Sequence, residues 1–201
     1  MGRIDTREQA GQARPLRADA QRNYARLLDT ARAAFVEYGA DDVSLEEIAR
    51  RAGVGIGTLY RHFPSRQALL EAVYRDQVES LRARAEELAE AESPLDALAE
   101  WLRAMMEFSS TKRSMTSALL ATLGTDSELL SVCVTVIRGS AETLLARAQQ
   151  AGMVRQDADA GDVMRLVHAV NIATEKATDP GQADRMLALI LDGLRPRPAS
   201  G

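Results

Sequence analysis

SLEEIARRAGVGIGTLYRHF, residues 44–63, is the stretch whose reading decides the fold of this chain. Its opening, Ser44-Leu-Glu-Glu47, has the pattern of a capping box. The Ser44 hydroxyl can accept from the backbone N–H of residue 47, and the Glu47 carboxylate can reach back to the N–H of residue 44. Val43 and Ile48 stand at the two positions of a hydrophobic staple, so a helix is expected from about Leu45 to Arg51. Ala52-Gly53 then tolerates a left-handed backbone, and residues 55–62 can form another short helix before Pro64. Ala49 is small where two helices cross closely, Gly53 supplies the turn, and Ile48, Val54 and Leu59 are apolar where the pair must pack on a third helix. The step from Ala49 to Gly53, and the longer one on to Leu59, fit a helix-turn-helix. Any helical hairpin asks for small and apolar residues at such places, so the surroundings have to carry part of the argument.

Upstream, Tyr24, Leu27, Leu28, Ala31, Phe35 and Tyr38 recur at steps of three and four, marking an amphipathic helix that Gly39 ends. Residues 1–20 mix Gly, Gln, Ala, Arg and one Pro with no apolar period and read as a flexible basic arm. Downstream, Ser65 can cap a helix carrying Leu69, Leu70, Val73, Tyr74, Val78, Leu81 and Leu88, which fades in an acidic run near Pro94. Further helical patterns cover about 95–110, 114–123, 127–151, 159–176 and 181–194, separated by Lys112-Arg113, Gly124, Gly152 and Asp179-Pro180-Gly181. No stretch of alternating polarity intervenes and no period of 20 to 50 residues repeats, so the expected fold is all-α in two helical units. The organisation reads as an arm (1–20), a helix-turn-helix domain (21–66), a second helical domain (67–195) and a tail (196–201).

The 201 residues, 46% hydrophobic and 27% charged, have ordinary globular composition, which excludes wholesale disorder. The charge-free stretches at 114–125 and 129–137 are shorter than the roughly 18–20 apolar residues of a membrane span, and no secretory signal opens the chain, so a cytoplasmic protein is expected. One cysteine, Cys133, cannot form an intrachain disulfide and reads as a buried small hydrophobe. The two histidines, His62 and His168, lie in different units, so neither a metal site nor a His-based triad is expected, and no cofactor or enzymatic activity is assigned. Gly53-Val-Gly-Ile-Gly57 only superficially resembles a phosphate loop, since a helix rather than a strand precedes it and no Lys-Ser/Thr follows. The net charge of −4 divides unevenly: +2 over residues 1–66 and −6 over 67–201. The basic charge belongs to the segment with the helix-turn-helix, although a solvated helix face would show the same pattern.

The run from about Tyr24 to Leu70 resembles the DNA-binding domain of the TetR family of bacterial transcriptional regulators. Ala33-Ala34-Phe35, Gly39, residues 44–53, Gly57-Thr-Leu-Tyr-Arg-His-Phe63 and Ser65-Arg66 carry the likeness. The resemblance implies a homodimer, an N-terminal DNA reader and a C-terminal ligand and dimer domain, acting on a pseudo-palindromic operator of double-stranded DNA as a ligand-responsive repressor. On the recognition helix, Gly55, Gly57 and Thr58 would let the backbone approach the major groove. Ile56 offers an apolar contact to a thymine methyl, and Arg61 a guanine or phosphate partner. Tyr60 and His62 match positions at which the family contacts phosphate. Ser44 and Arg66, at helix starts, also suit phosphate, and Arg14, Arg17 and Arg22 could follow phosphates or a minor groove. Gly55-Ile56 departs from the polar residues many relatives carry there.

In the C-terminal domain, Trp101, Met105, Met106, Phe108, Met115 and Leu119 form an apolar set that can line a pocket for an unidentified small-molecule effector, or can be plain core. His168, Asn171 and Thr174 are polar at helical spacing in an apolar helix, where they could orient a ligand or serve an interface. Val134, Ile137, Ala141, Leu144 and Leu145 on one helix, with Met186, Leu187, Ile190 and Leu191 on the last, are the candidate two-fold four-helix interface. The alternative is a helical small-molecule-binding scaffold with vestigial DNA binding.

Overall fold

A computed structural model of the chain describes the backbone of residues 6–40, 42–123 and 127–196, and the side chains from residue 18 onward except 110–114, 116–118 and 120–123. Among the described residues the secondary structure is entirely helical: α1 (Thr6–Tyr38), α2 (Leu45–Ala52), α3 (Ile56–His62), α4 (Arg66–Ala89), α5 (Pro94–Leu123), α6 (Glu128–Gln150), α7 (Ala160–Thr174) and α8 (Gln182–Leu194). Two compact units divide between Val73 and Tyr74, inside α4, a few residues beyond the sequence boundary at 66.

Two expected boundaries are corrected. Residues 6–20, read as a flexible arm, have helical backbone continuous with α1 even though Gly11 and Pro15 lie within them; the Ala, Gln and Arg around those two residues favour helix, and the propensities of Gly11 and Pro15 do not account for the continuation. The break expected at Lys112-Arg113 does not occur, and α5 runs unbroken to Leu123, because neither Gly nor Pro interrupts residues 95–123 and Lys and Arg favour helix.

In the N-terminal unit Leu27, Ala31, Ala34 and Phe35 of α1, Ile48 and Ala49 of α2, Leu59 of α3 and Leu69 of α4 are buried together with Phe63. Gly39, at φ +91°, ends α1 and donates to the Phe35 carbonyl at 3.0 Å. The turn of the helix-turn-helix is a Schellman motif. Gly53 (φ +60°) donates to the Arg50 carbonyl at 3.1 Å and Val54 to the Ala49 carbonyl at 2.9 Å, with Val54 buried beside them.

The C-terminal unit is built on Tyr74, Trp101, Leu98, Leu102 and Leu144. The Trp101 indole donates to the Leu81 carbonyl at 2.9 Å, and the Tyr74 and Phe108 rings meet at 5.9 Å; burial pushes the Tyr74 hydroxyl well above the ordinary tyrosine range. Helix α6 is long and apolar enough by length and composition to cross a membrane. Its buried stripe of Cys133, Ile137, Ala141, Leu144, Leu145 and Ala148 packs on α5 and α7, as the core helix of a folded domain does. Asp159 caps α7 by accepting from the Asp162 N–H at 3.2 Å, and α8 packs on α7 and α5.

Candidate functional site

The recognition face is set up by α2. The Ser44 hydroxyl accepts from the Glu47 N–H at 3.1 Å, so half of the capping box is present. The other half is replaced: the Glu47 carboxylate turns outward and accepts from Arg50 Nε at 2.9 Å and Arg51 Nε at 2.7 Å, because two cations one turn along compete successfully for it. Ser44 stays exposed, with its hydroxyl proton still to donate.

Helix α3 has only one fully buried side chain, Leu59, and Phe63 anchors its exit. Everything else faces outward to some degree. Gly55, Ile56, Gly57, Tyr60 and Arg61 are exposed, and Thr58 and His62 half-buried. A Cβ at Gly55 or Gly57 would meet nothing within 4 Å. The chain's own packing therefore does not ask for glycine there, and Gly57 in a seven-residue helix costs about 1 kcal/mol of helix propensity relative to Ala. Ile56, 39% exposed, and Tyr60, 45% exposed, make the surface partly apolar. His62 is more committed than the sequence suggests: its ring lies edge-on to Tyr24 at 5.8 Å and 6.1 Å from Phe63, and the Tyr24 and Phe63 rings meet each other at 5.1 Å, so the three form one cluster.

The arginines of this unit divide by occupation. Arg61 has no ion pair among the described residues. Arg22 pairs with Asp19 on the exposed face of α1. Arg66, expected at phosphate, donates from Nε to the Ala40 carbonyl at 3.0 Å and is half-buried, since the first turn of α4 brings it against the α1–α2 connection. The side chains of Arg14 and Arg17 lie outside the described residues. Two arginines passed over in the sequence fix the motif. Arg26 donates to the Ala52 carbonyl at the end of α2. Arg51 donates to Glu37 Oε2 at 2.9 Å and to the Tyr38 hydroxyl at 2.7 Å, its guanidinium 4.9 Å from the Tyr38 ring centre. The hydrogen bonds from Arg50 and then Arg51 hold the Glu47 carboxyl at about 2, and Tyr38 and then Arg51 hold Glu37 below the usual carboxylate range. No spacing signal announces Arg26 or the Glu37–Arg51 pair, which join residues 26 and 14 positions apart.

The candidate effector residues fall into three groups. Trp101, Met115 and Leu119 are sealed in the core. Met105 and Phe108 line a cavity of about 340 Å³ with His168 and with Val134 and Ile137 of α6. Met106, Asn171 and Thr174 line a separate one of about 600 Å³, and the Asn171 Nδ2 is buried with no hydrogen-bond partner among the described residues. The first cavity is the smaller and sets Arg138, Arg165 and His168 beside an apolar wall, and the second carries the carboxylates of Glu107, Glu175 and Asp184.

The candidate interface is also divided. Ile137, Ala141, Leu144, Leu145 and Leu187 are buried by their own chain, Met186, Ile190 and Leu191 are half-buried, and Val134 is exposed. An apolar stripe read from sequence faces its own core before any partner. The outward sides of α7 and α8 instead expose Leu166, Ile172 and Leu189.

Comparison with known proteins agrees with this arrangement. Residues 27–73 match the family model for bacterial regulatory proteins of the tetR family, and residues 93–196 that of the SbtR-like transcriptional regulator C-terminal domain. A TetR transcriptional regulator from Streptomyces coelicolor is 35% identical, over 87% of this chain and 99% of that one, with a TM-score of 0.78. A TetR regulatory protein from Mycobacterium vanbaalenii is 37% identical over 90% and 100%, with a TM-score of 0.70. An HTH-type transcriptional regulator of Staphylococcus aureus is 41% identical over 54 residues, which are 27% of this chain and 29% of that relative, so the chain spans under a third of the curated relatives it matches. With an all-helical fold, a helix-turn-helix whose recognition helix is turned outward, and family matches in both units, this chain belongs to the TetR family of transcriptional regulators.

Proposed function

We propose that the protein acts in the cytoplasm as a ligand-responsive repressor, binding a pseudo-palindromic operator as a homodimer. The observation that carries this reading is the outward face of α3: two glycines with open space where a Cβ would sit, beside Thr58, Tyr60 and Arg61, which has no ion pair among the described residues. A major groove about 12 Å wide admits a helix whose backbone comes close, and glycine permits that approach. Thr58 and Ile56 would meet base edges, Arg61 a guanine or a phosphate, and Tyr60 and Ser44 phosphates, with His62 held at the margin by Tyr24. Arg66 and Arg26 serve the reader by holding its helices rather than by touching DNA.

Dimerisation would bring two readers to successive major grooves, with half-sites about one helical turn or a multiple apart. The outward apolar side chains of α7 and α8 are the surface we assign to it, in place of the buried stripe of α6. A small molecule in the C-terminal unit that favours a dimer with wrongly spaced readers would weaken DNA binding by roughly 5- to 150-fold for a coupling of about 1–3 kcal/mol.

The test is selection of bound sequences from random duplex DNA by the full chain, with recovered sites measured at two salt concentrations. Enrichment of a two-fold site whose affinity falls steeply with salt is the expected result. Absence of any enriched sequence, with the protein folded and dimeric, would replace the regulator by the scaffold reading.

A further inference from the structure

Helices α5, α6 and α7 line the open pocket of about 340 Å³, at the small end of the roughly 300–1,000 Å³ typical of small-molecule sites. Met105 and Phe108 from α5, Ile137 from α6 and Met164 from α7 make its walls apolar, and methionine side chains can repack around differently shaped tails. Its polar lining joins the Ser109 hydroxyl and the His168 imidazole to two arginines, whose carboxylate partners Glu142 and Asp162 are not among the lining residues. Arg138 comes from α6, Arg165 and His168 from α7, and no carboxylate is among the described lining residues. The 600 Å³ cavity, lined by three carboxylates and Arg103, has the opposite character.

Both arginines are engaged only in part. Arg138 commits its Nε to Glu142 at 2.8 Å and Arg165 one Nη to Asp162 at 2.7 Å, and their side chains are 60% and 78% exposed. A guanidinium has five N–H donors in a planar fork, so each retains donors for an incoming oxyanion, and solvent-exposed pairs of this kind are weak enough to be shared. An apolar interior with cations at its solvent-facing edge is the lining that suits a molecule of two parts.

We propose that this cavity takes a small molecule with an apolar body and a single anionic head, a carboxylate or a phosphate monoester, the body against Met105, Phe108 and Met164 and the head at Arg138 and Arg165. The assignment rests on the ligand-responsive regulator reading and names the class of ligand for it.

The test is calorimetric titration of the full chain with decanoate, decyl phosphate, decanol and decyltrimethylammonium, each below its micelle concentration. One or both anions are expected to bind about tenfold or more tightly than decanol, the increment of a charge-assisted hydrogen bond, and the cation more weakly still. In an Arg138→Gln, Arg165→Gln double variant the anions should lose that advantage while decanol is unaffected; an Arg103→Gln change at the other cavity should leave all four as they were. The two positions are exposed, and an unchanged melting temperature verifies that the variant is folded. Equal affinity for decanol and the anions, preference for the cation, no binding by any probe, or an anion preference that survives the double substitution overturns the proposal. Addition of the bound anion to the protein on its selected DNA then separates the two readings. Anion binding that depends on both arginines without release of DNA upholds the site and counts against ligand-responsive repression alone.

Discussion

The Nε of Arg66, the first residue of α4, donates to the carbonyl oxygen of Ala40 at 3.0 Å and so ties the start of α4 to the connection between α1 and α2. Ala40 is buried, so its carbonyl has little access to water if this donor is lost. Replacing Arg66 with Ala is therefore expected to destabilise the protein by about 1–3 kcal/mol, read as a lower denaturant midpoint. The slope of log affinity against log salt should remain near that of the unchanged protein. Arg61→Gln is expected to do the reverse, lowering that slope by about one if the side chain neutralises a phosphate, with stability unchanged. A flattened slope with full stability in the Arg66 variant would return Arg66 to the phosphate contacts.

Gly57 separates folding from DNA binding. Because a Cβ there meets nothing within 4 Å, Gly57→Ala should stabilise the folded chain by up to about 1 kcal/mol through helix propensity. The same methyl stands on the face turned toward the groove and should weaken binding to the selected operator. Opposite signs in a melting curve and a binding titration are the signature to look for; tighter or unchanged DNA binding would move the recognition face elsewhere on α3.

Gly53 behaves differently, although it lies only four residues earlier. Its φ of +60° is left-handed, and a Cβ would sit 2.7 Å from Arg26 Nη2, which is hydrogen-bonded to the Ala52 carbonyl. Gly53→Ala should cost about 1–2 kcal/mol from the backbone alone, with a further loss if Arg26 is displaced from its carbonyl. Combining it with Arg26→Ala tests the second part: the double variant should lose less than the sum of the two single changes, as neighbours sharing one interaction do.

These residues also show what the sequence could and could not disclose. Short-range chemistry was legible. Ser44 caps α2, Val43 and Ile48 are buried as its staple, Gly53 makes the turn and Gly39 ends α1, because each depends on neighbours a few positions away. Long-range partners were not. Arg26, Arg51 and Arg66 look alike in a string of basic residues, and only the fold shows that each is held by groups of another element. The same limit affected the C-terminal unit. Periodicity identified Trp101, Met105, Met106, Phe108, Met115 and Leu119 as one set, yet α5 distributes them among a sealed core and two cavities, since a helix 30 residues long turns its apolar positions toward several neighbours.

The Glu37–Arg51–Glu47 network gives the N-terminal unit an acid limb. Hydrogen bonds from Arg50 and then Arg51 hold the Glu47 carboxyl at about 2 against an ordinary 4.5, and Glu37 is lowered in the same direction. A carboxyl depressed in the folded state contributes stability that is complete above its ordinary value and is lost as pH falls through the folded one. Stability should thus be insensitive to this network above about pH 5 and decline between about 4.5 and 2. The groups are exposed to solvent, so the loss should be modest and smaller at high salt. Denaturant midpoints measured across that range should fall less steeply in Glu47→Gln; an identical acid limb in that variant would show that the network does not contribute.

Leu189 of α8 is 72% exposed in the isolated chain, an unusual position for a leucine in an apolar helix, and Leu166 and Ile172 of α7 are also turned outward. Burial of such side chains against a second copy removes apolar surface from water, with about 25 cal/mol gained per Å² covered. Leu189→Arg places a charge where a partner would bury it, while costing the isolated chain little because the site is already solvated. Sedimentation should show the variant shifted toward monomer with its helical content intact, and binding to a two-fold operator should weaken with it, since two linked readers gain from each other's proximity. Leu187→Ala is the contrast, because Leu187 is buried in its own chain. It should lower stability by about 2–5 kcal/mol. An unaltered dimer in Leu189→Arg would exclude this face of α8 from the interface.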